Sequence, residues 1–329
     1  MHCRIVPLLL LSASGCAELS TAAPPAEPLA RQVLADDDPW AMVPAEADLI
    51  LWADLDKLRA SPWTRDSFAR VAPQDVAGQG PAFEQMDKLD QILLAKLPAL
   101  RDGASVLVGQ GGFDREAMRR AFAQEPVETS TYRGTEIHMR GEEALAFFGR
   151  RTVFSGLAVA VRAALDCNAG VARAVDSESW LRQLRGELDR DKGAALPVAT
   201  LYVRLQPATR EALLREMGEG GDLEEFGGRV DLDGDLHAHA IGVTRTPQQA
   251  QDLAARLSER VREARTRPIV AALALGSVLD SVRFSVAGTR VHATLRVSEH
   301  ERALIALKMA LVAETLARMR KQRMEQPQP

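Results

Sequence analysis

The segment Asp231-Leu232-Asp233-Gly234-Asp235-Leu236-His237-Ala238-His239 holds the residue types best suited to chemistry in this chain. In a strand His237 and His239 project from one face, and two imidazoles spaced His-x-His can hold a metal beside nearby carboxylates. The same stretch also reads as a hairpin, because Asp233-Gly234 is a strong turn signal that puts the carboxylates in the turn or on the far strand. No third imidazole follows at a ligand spacing, and the glycine falls too early for a calcium loop of the Asp-x-Asp-x-Asp-Gly kind. The expectation is a solvated antiparallel hairpin with no resident metal, on which His237 and His239 are the candidate ligands.

Other patterns invite chemistry less well. Gly109-Gln110-Gly111-Gly112 lies between an expected strand and helix, where glycines would let backbone amides approach a phosphate. The third glycine of that motif is absent, and Asp114 stands there instead, an N-cap that repels an anion, so a structural turn is expected. His138 and His292 recur in two similar hairpins and would form a shared site only if the two hairpins packed together; otherwise they belong to outward-facing turns. Ser155-Gly156 and Ser14-Gly15 lack the flanking Gly-x-Ser-x-Gly pattern of a nucleophile elbow. No constellation names a reaction, so the chain is expected not to be an enzyme and to need no cofactor.

Cys16 is the residue that points to a cellular address. A basic Arg4, the apolar run Ile5–Leu11 and the small residues Ala13-Ser14-Gly15 precede it, and together they resemble the lipobox of a bacterial lipoprotein. The run is too short to span a bilayer. The resemblance implies removal of residues 1–15, a diacylglyceryl thioether on Cys16 and a further acyl chain such as palmitate on its amine, and several chains give stable anchoring where one would not. Ala17 follows the cysteine where Asp would favour the inner membrane in the enteric sorting pattern, so the outer membrane, facing periplasm or surface, is the implied address. Of the three cysteines, Cys3 lies in the leader and Cys16 carries lipid, which leaves Cys167 without a disulfide partner and most simply a small buried hydrophobe.

Composition sets the remaining bounds. The 329 residues are 46% hydrophobic, enough to bury a substantial interior after the leader. Forty-one Lys and Arg against 45 Asp and Glu leave a net charge of -4, which excludes a field able to hold a nucleic-acid backbone. Aromatic residues make up 5%, too few for the stacking platforms of a carbohydrate module. The expected partners are the membrane, through the lipid, and an envelope protein or small ligand.

The elements that must position these residues are short strands, hairpins and helices. Residues 16–46 read as lipid anchor and Ala/Pro-rich tether, with Pro24, Pro25, Pro28, Pro39 and Pro44 against a continuous helix. Asp48–Asp54 predicts a strand running into a helix, and Ala199–Leu205 opens a second such unit, an offset of 151 residues when Ala47 is set against Val198. Tyr132–His138 and Val286–His292 share Gly-Thr-x-[Ile or Val]-His at an offset of 154. These offsets predict an α+β fold of two similar halves, 47–195 and 196–320, each of antiparallel hairpins packed on helices, with 321–329 as a disordered tail. Thr246, Pro247 and Gln249 predict a capped helix over 247–262 with Ala250, Leu253, Leu257 and Val261 buried, and Ser298 with Glu301 predicts a capping box for a last helix.

The opening Val43–Leu55 with Leu58–Pro62, the Tyr132-Arg133-Gly134 turn and the Thr152–Gly156 strand end resemble a group of secreted proteins and lipoproteins of myxobacteria and similar high-GC bacteria. That group has no established activity to carry over, so the resemblance implies architecture only. The resulting expectation is a lipid-anchored envelope protein that binds a partner or ligand. The alternatives are a metal-dependent envelope enzyme using His237 and His239, and a structural envelope component.

Overall fold

Alternation of apolar and polar residues in short runs, punctuated by glycine turns, gives twelve strands and seven helices among the described residues. The computed structural model describes residues 38–64, 88–101, 103–123, 125–190, 197–207, 210–211, 222–272, 275–305 and 308. The fold is α+β, and the chain forms two units: Met1–Trp52 with Ala72–Arg182, and Ala53–Val71 with Gln183–Pro329. Cys16, most of the last helix and the 321–329 tail lie outside the described residues.

In the first unit the strand order is β1 (Leu49–Asp54), β2 (Leu89–Lys96), β3 (Ser105–Gly111), β7 (Thr152–Leu157), β6 (Glu143–Phe148), β5 (Thr135–Arg140) and β4 (Glu128–Tyr132). Helix α1 (Leu55–Ala60), whose residues belong to the second unit, follows β1 directly in the chain, because the Asp54 carboxylate accepts a hydrogen bond from Lys57 N at 2.9 Å and caps it. Helix α2 (Arg115–Phe122) is capped in the same way by Asp114, which accepts from Glu116 N and Ala117 N. Helix α3 (Ala158–Asn168) buries Ala160, Val161, Ala164, Leu165 and Cys167, the stripe that faces a sheet.

Part of the Pro-rich stretch expected as tether, residues 38–46, is folded. Pro39–Met42 forms a 3-10 turn capped by Asp38, and Trp40, Met42, Val43 and Ala45 are buried, with Val43 O accepting from Val175 N at 2.8 Å. Pro39 sits at the first position of that turn, where its missing N–H costs nothing, so four apolar side chains outweigh the prolines around them.

In the second unit the order is β8 (Ala199–Arg204), β9 (Leu223–Asp233), β10 (Asp235–Thr244), β12 (Arg290–Val297) and β11 (Arg283–Ala287). All the pairings between these strands are antiparallel. Two helices cover the two faces: α4 (Ser179–Arg190), whose residues from Gln183 onward belong to this unit, and α5 (Pro247–Arg265). Thr246 and Gln249 form the expected capping box, and Ala250, Leu253 and Ala254 pack on Val291, with Leu223, Leu257 and Phe284 around them. Short helices α6 (Pro268–Ala272) and α7 (Gly276–Ser281) lead into β11. Ser298 and Glu301 also form their box, Ser298 N donating to Glu301 Oε2 at 2.8 Å and Glu301 N donating to Ser298 Oγ at 3.2 Å.

The two Gly-Thr hairpins do not hold equivalent places. Read outward from β1 and from β8, the hairpin matching β11–β12 is β6–β7, whereas β4–β5 is added beyond it at the sheet edge. Their turns also differ. Tyr132 pairs with Thr135, so Arg133 and Gly134 are the two loop residues, and both have positive φ, 52° and 75°, as a type I′ turn requires. Ala287 pairs with Arg290, so Gly288, φ 60°, is the first loop residue, the arrangement of a type II′ turn. The shared letters thus stand one residue out of frame, and a slip of one residue sends a strand side chain to the other face. Gly-Thr recurs here because two-residue turns select glycine.

Candidate functional site

The site grows from the β9–β10 hairpin and its neighbour β12. Gly234, φ 74°, makes the turn between β9 and β10 that Asp233-Gly234 predicted. His237 pairs in register with Asp231 on β9 and Arg296 on β12, His239 with Arg229 and Thr294, and Ile241 with Gly227 and His292. Directly opposed residues share a face, so His237, His239, His292, Arg229, Asp231 and Arg296 all belong to one side of the sheet. This is the α4 side: a Cβ on Gly227 would stand 3.2 Å from Leu188 Cδ1, so glycine there lets the helix lie close.

The structure couples His239 not with His237 but with His292, its diagonal neighbour across the β10–β12 pair. His292 Nδ1 and His239 Nε2 are 3.4 Å apart, and the ring centres are 5.7 Å apart with planes 27° from parallel. Both rings are half-buried, and His237 is exposed.

The carboxylates that the sequence offered as co-ligands are engaged elsewhere. Arg229, its side chain only 2% exposed, donates from Nε to Asp231 Oδ2 at 2.8 Å and from Nη1 to Asp189 Oδ1 at 3.3 Å. Asp235 accepts from Arg296 Nη2 at 2.6 Å and from Glu299 N at 3.1 Å, and these bonds, Arg296 first, hold its carboxyl below the usual range. Among the described residues no three of His, Cys, Asp and Glu gather into a metal-binding group. Glu225, farther along the same face of β9, has its carboxyl raised, chiefly by burial.

The other candidates resolve into structural roles. Gly109 and Gly111 lie inside β3 rather than in a turn, and a Cβ on Gly111 would stand 2.3 Å from Lys88 O and 2.6 Å from Leu89 Cα. Glycine is required there because the β2 backbone passes close by at the register shift between Leu89 and Gln91. Cys167 is buried, its Sγ 3.4 Å from Arg173 O, and burial pushes its thiol up to about 12. Its placement agrees with that of a small core hydrophobe.

His138 departs from expectation, since it is 8% exposed rather than outward-facing. Its Nε2 lies 3.0 Å from Glu136 Oε1, its Nδ1 3.4 Å from Thr129 Oγ1, and its ring meets the edge of Phe147. Desolvation lowers its proton affinity and outweighs the opposing pull of Glu136. A histidine held neutral by the fold contributes stability that is full above its unfolded pKa of about 6.5 and is lost as pH falls through that value toward the lower folded one. His138→Gln should therefore flatten the loss of first-unit stability between about pH 7 and pH 5. Urea midpoints followed by tryptophan fluorescence report it, because Trp40, Trp52 and Trp180 of the four tryptophans lie in that unit. An unchanged pH slope would assign the acid sensitivity to other groups.

No family model matches the chain, and no curated protein matches it in sequence. The chain is similar to solved structures of TP0453. Crystal form III gives a TM-score of 0.49 at 11% identity, covering 83% of this chain and 98% of that one. Crystal form I gives 0.48 at 11% identity, covering 82% and 97%. Crystal form IV gives 0.49 at 10% identity, covering 82% and 96%. Among the described residues no helix is long and apolar enough to cross a membrane.

Proposed function

We propose that this protein is a lipid-anchored component of the bacterial cell envelope that acts by binding a partner or ligand without catalysing a reaction. The observation that carries the reading is Cys16, placed behind the apolar run Ile5–Leu11 and the small residues Ala13-Ser14-Gly15. The described residues begin at the Asp38-capped turn, and the Ala/Pro-rich residues 17–37 before it are proposed as the tether. At ~3.1 Å per residue, an extended Pro-rich segment of that length reaches about 65 Å, enough to meet a partner off the membrane. Ala17, rather than Asp, favours the outer membrane.

The state of the reactive groups supports binding over catalysis. Asp231 and Asp235 are held in arginine pairs, and the Cys167 thiol, raised by burial, is no nucleophile at neutral pH. A carboxylate clamped by a guanidinium makes a poor general base. The test is Cys16→Ser followed by cell fractionation. The wild type should sediment with the outer-membrane fraction and the variant should move to the soluble envelope or precursor pool. Membrane association that survives the substitution would refute the anchor.

A further inference from the structure

We propose that His239 and His292 form a two-imidazole chelate for a divalent transition-metal ion on the α4 side of the second-unit sheet. Two imidazole nitrogens bound to one tetrahedral zinc at ~2.0–2.1 Å stand about 3.3–3.4 Å apart. His292 Nδ1 and His239 Nε2 are 3.4 Å apart. With the ring centres at 5.7 Å, these two nitrogens lie between the rings and face one another. Where a facing nitrogen carries a proton, binding moves it to the far nitrogen of its own ring through solvent, which leaves both facing lone pairs to the ion. The remaining rotation is about histidine χ2, a soft torsion.

Most of the nearby positive charges are paired: Arg229 and Arg296 with Asp189, Asp231 and Asp235, and Arg290, two residues from His292 on β12, with Glu187, while Arg283, diagonal to His292 on β11, donates to the Asp280 and Val282 carbonyls. Backbone pairing of β10 with β12 holds both imidazoles, so the donor spacing is set before the ion arrives. The half-buried rings leave the outer coordination positions to water. Imidazole donors of this kind select Cu²⁺, Ni²⁺ and Zn²⁺ over hard oxygen-seeking ions. His237, exposed and two residues away, is not part of the chelate. The proposal stands apart from the lipid anchor, and its test does not involve Cys16.

The experiment titrates the full chain with Cu²⁺, Ni²⁺ or Zn²⁺ alone, with Mg²⁺ as the control, by calorimetry. One ion should bind per chain, tightest for Cu²⁺, and Mg²⁺ should not bind. Removal of a supporting residue around a metal costs about 10–100-fold in affinity, so His239→Gln and His292→Gln should each weaken binding by about tenfold or more. His237→Gln should stay within about threefold of wild type, since no ligand is lost. A second readout needs no variant: the electron paramagnetic resonance spectrum of the wild type with one equivalent of Cu²⁺ should show two coordinated imidazole nitrogens. Absent binding, unweakened binding in either the His239 or the His292 variant, or a spectrum with fewer than two such nitrogens would each overturn the proposal.

Discussion

Phe154→Ala should lower the stability of the first unit by about 3–5 kcal/mol, the range for emptying a buried aromatic site. Phe154 lies on β7, fully buried, between Val108 of β3 and Ala146 of β6, which are fully buried themselves. Ala146 is small and Val108 is β-branched, so neither can swing into the space left behind. Helix α3 buries Ala160, Val161, Ala164 and Leu165 over the same sheet, and its short side chains likewise cannot fill the hole. With a urea slope of about 2 kcal/mol/M, the midpoint should fall by roughly 1.5–2.5 M when followed by tryptophan fluorescence. Phe154→Leu should lose less than half as much, because most of the volume is retained. A midpoint within about 0.5 M of wild type for the alanine variant would mean that the strands close over the gap.

Arg229→Ala should be comparably damaging to the second unit, by about 3–5 kcal/mol, through charge rather than volume. The guanidinium is nearly inaccessible and binds Asp231, Asp189 and the Leu188 carbonyl. Its removal leaves Asp231, 16% exposed, as a carboxylate with poor access to water. The distinguishing test is the pair Arg229→Met and Arg229→Met/Asp231→Asn. If the cost comes from the stranded charge, the double variant should recover about half or more of the single variant's loss, since buried pairs replaced as a unit are near neutral. Hydrogen exchange of the β9 and β10 amides measures this locally, and the single variant should exchange by about 100-fold or more faster. Equal losses in single and double variants would show that Arg229 acts by packing its stem.

Relations confined to a few neighbouring residues were legible. Thr246-Pro247 with Gln249 predicted the start of α5, and the structure has that capping box. Asp233-Gly234 predicted the β9–β10 hairpin, and the Cys167 environment predicted a buried thiol. For the capping box and the hairpin turn the partner atoms lie within a few residues of one another, so side-chain type and spacing suffice. Pro39–Met42 was misread because prolines dominate its composition, while what decides its fate is the pocket that receives Trp40 and Met42. The Gly-Thr hairpins were misread because equal letters conceal a one-residue difference in turn frame, which only strand pairing reveals.

At the candidate site the same division holds. That His237 and His239 share a strand face follows from a period of two and was determined by the sequence alone. Which imidazole meets His239 was decided by the tertiary structure, since His292 is 53 residues away and its position depends on the register of β12 against β10. That register is the sum of many small terms: the eight opposed pairs from Leu236–Val297 to Val243–Arg290, the packing of α5 on Val291, and the turn that admits β12. No local window contains those terms. Short-range chemistry is therefore written residue by residue in this chain, whereas its cross-strand contacts arise only when the whole sheet settles into one alignment.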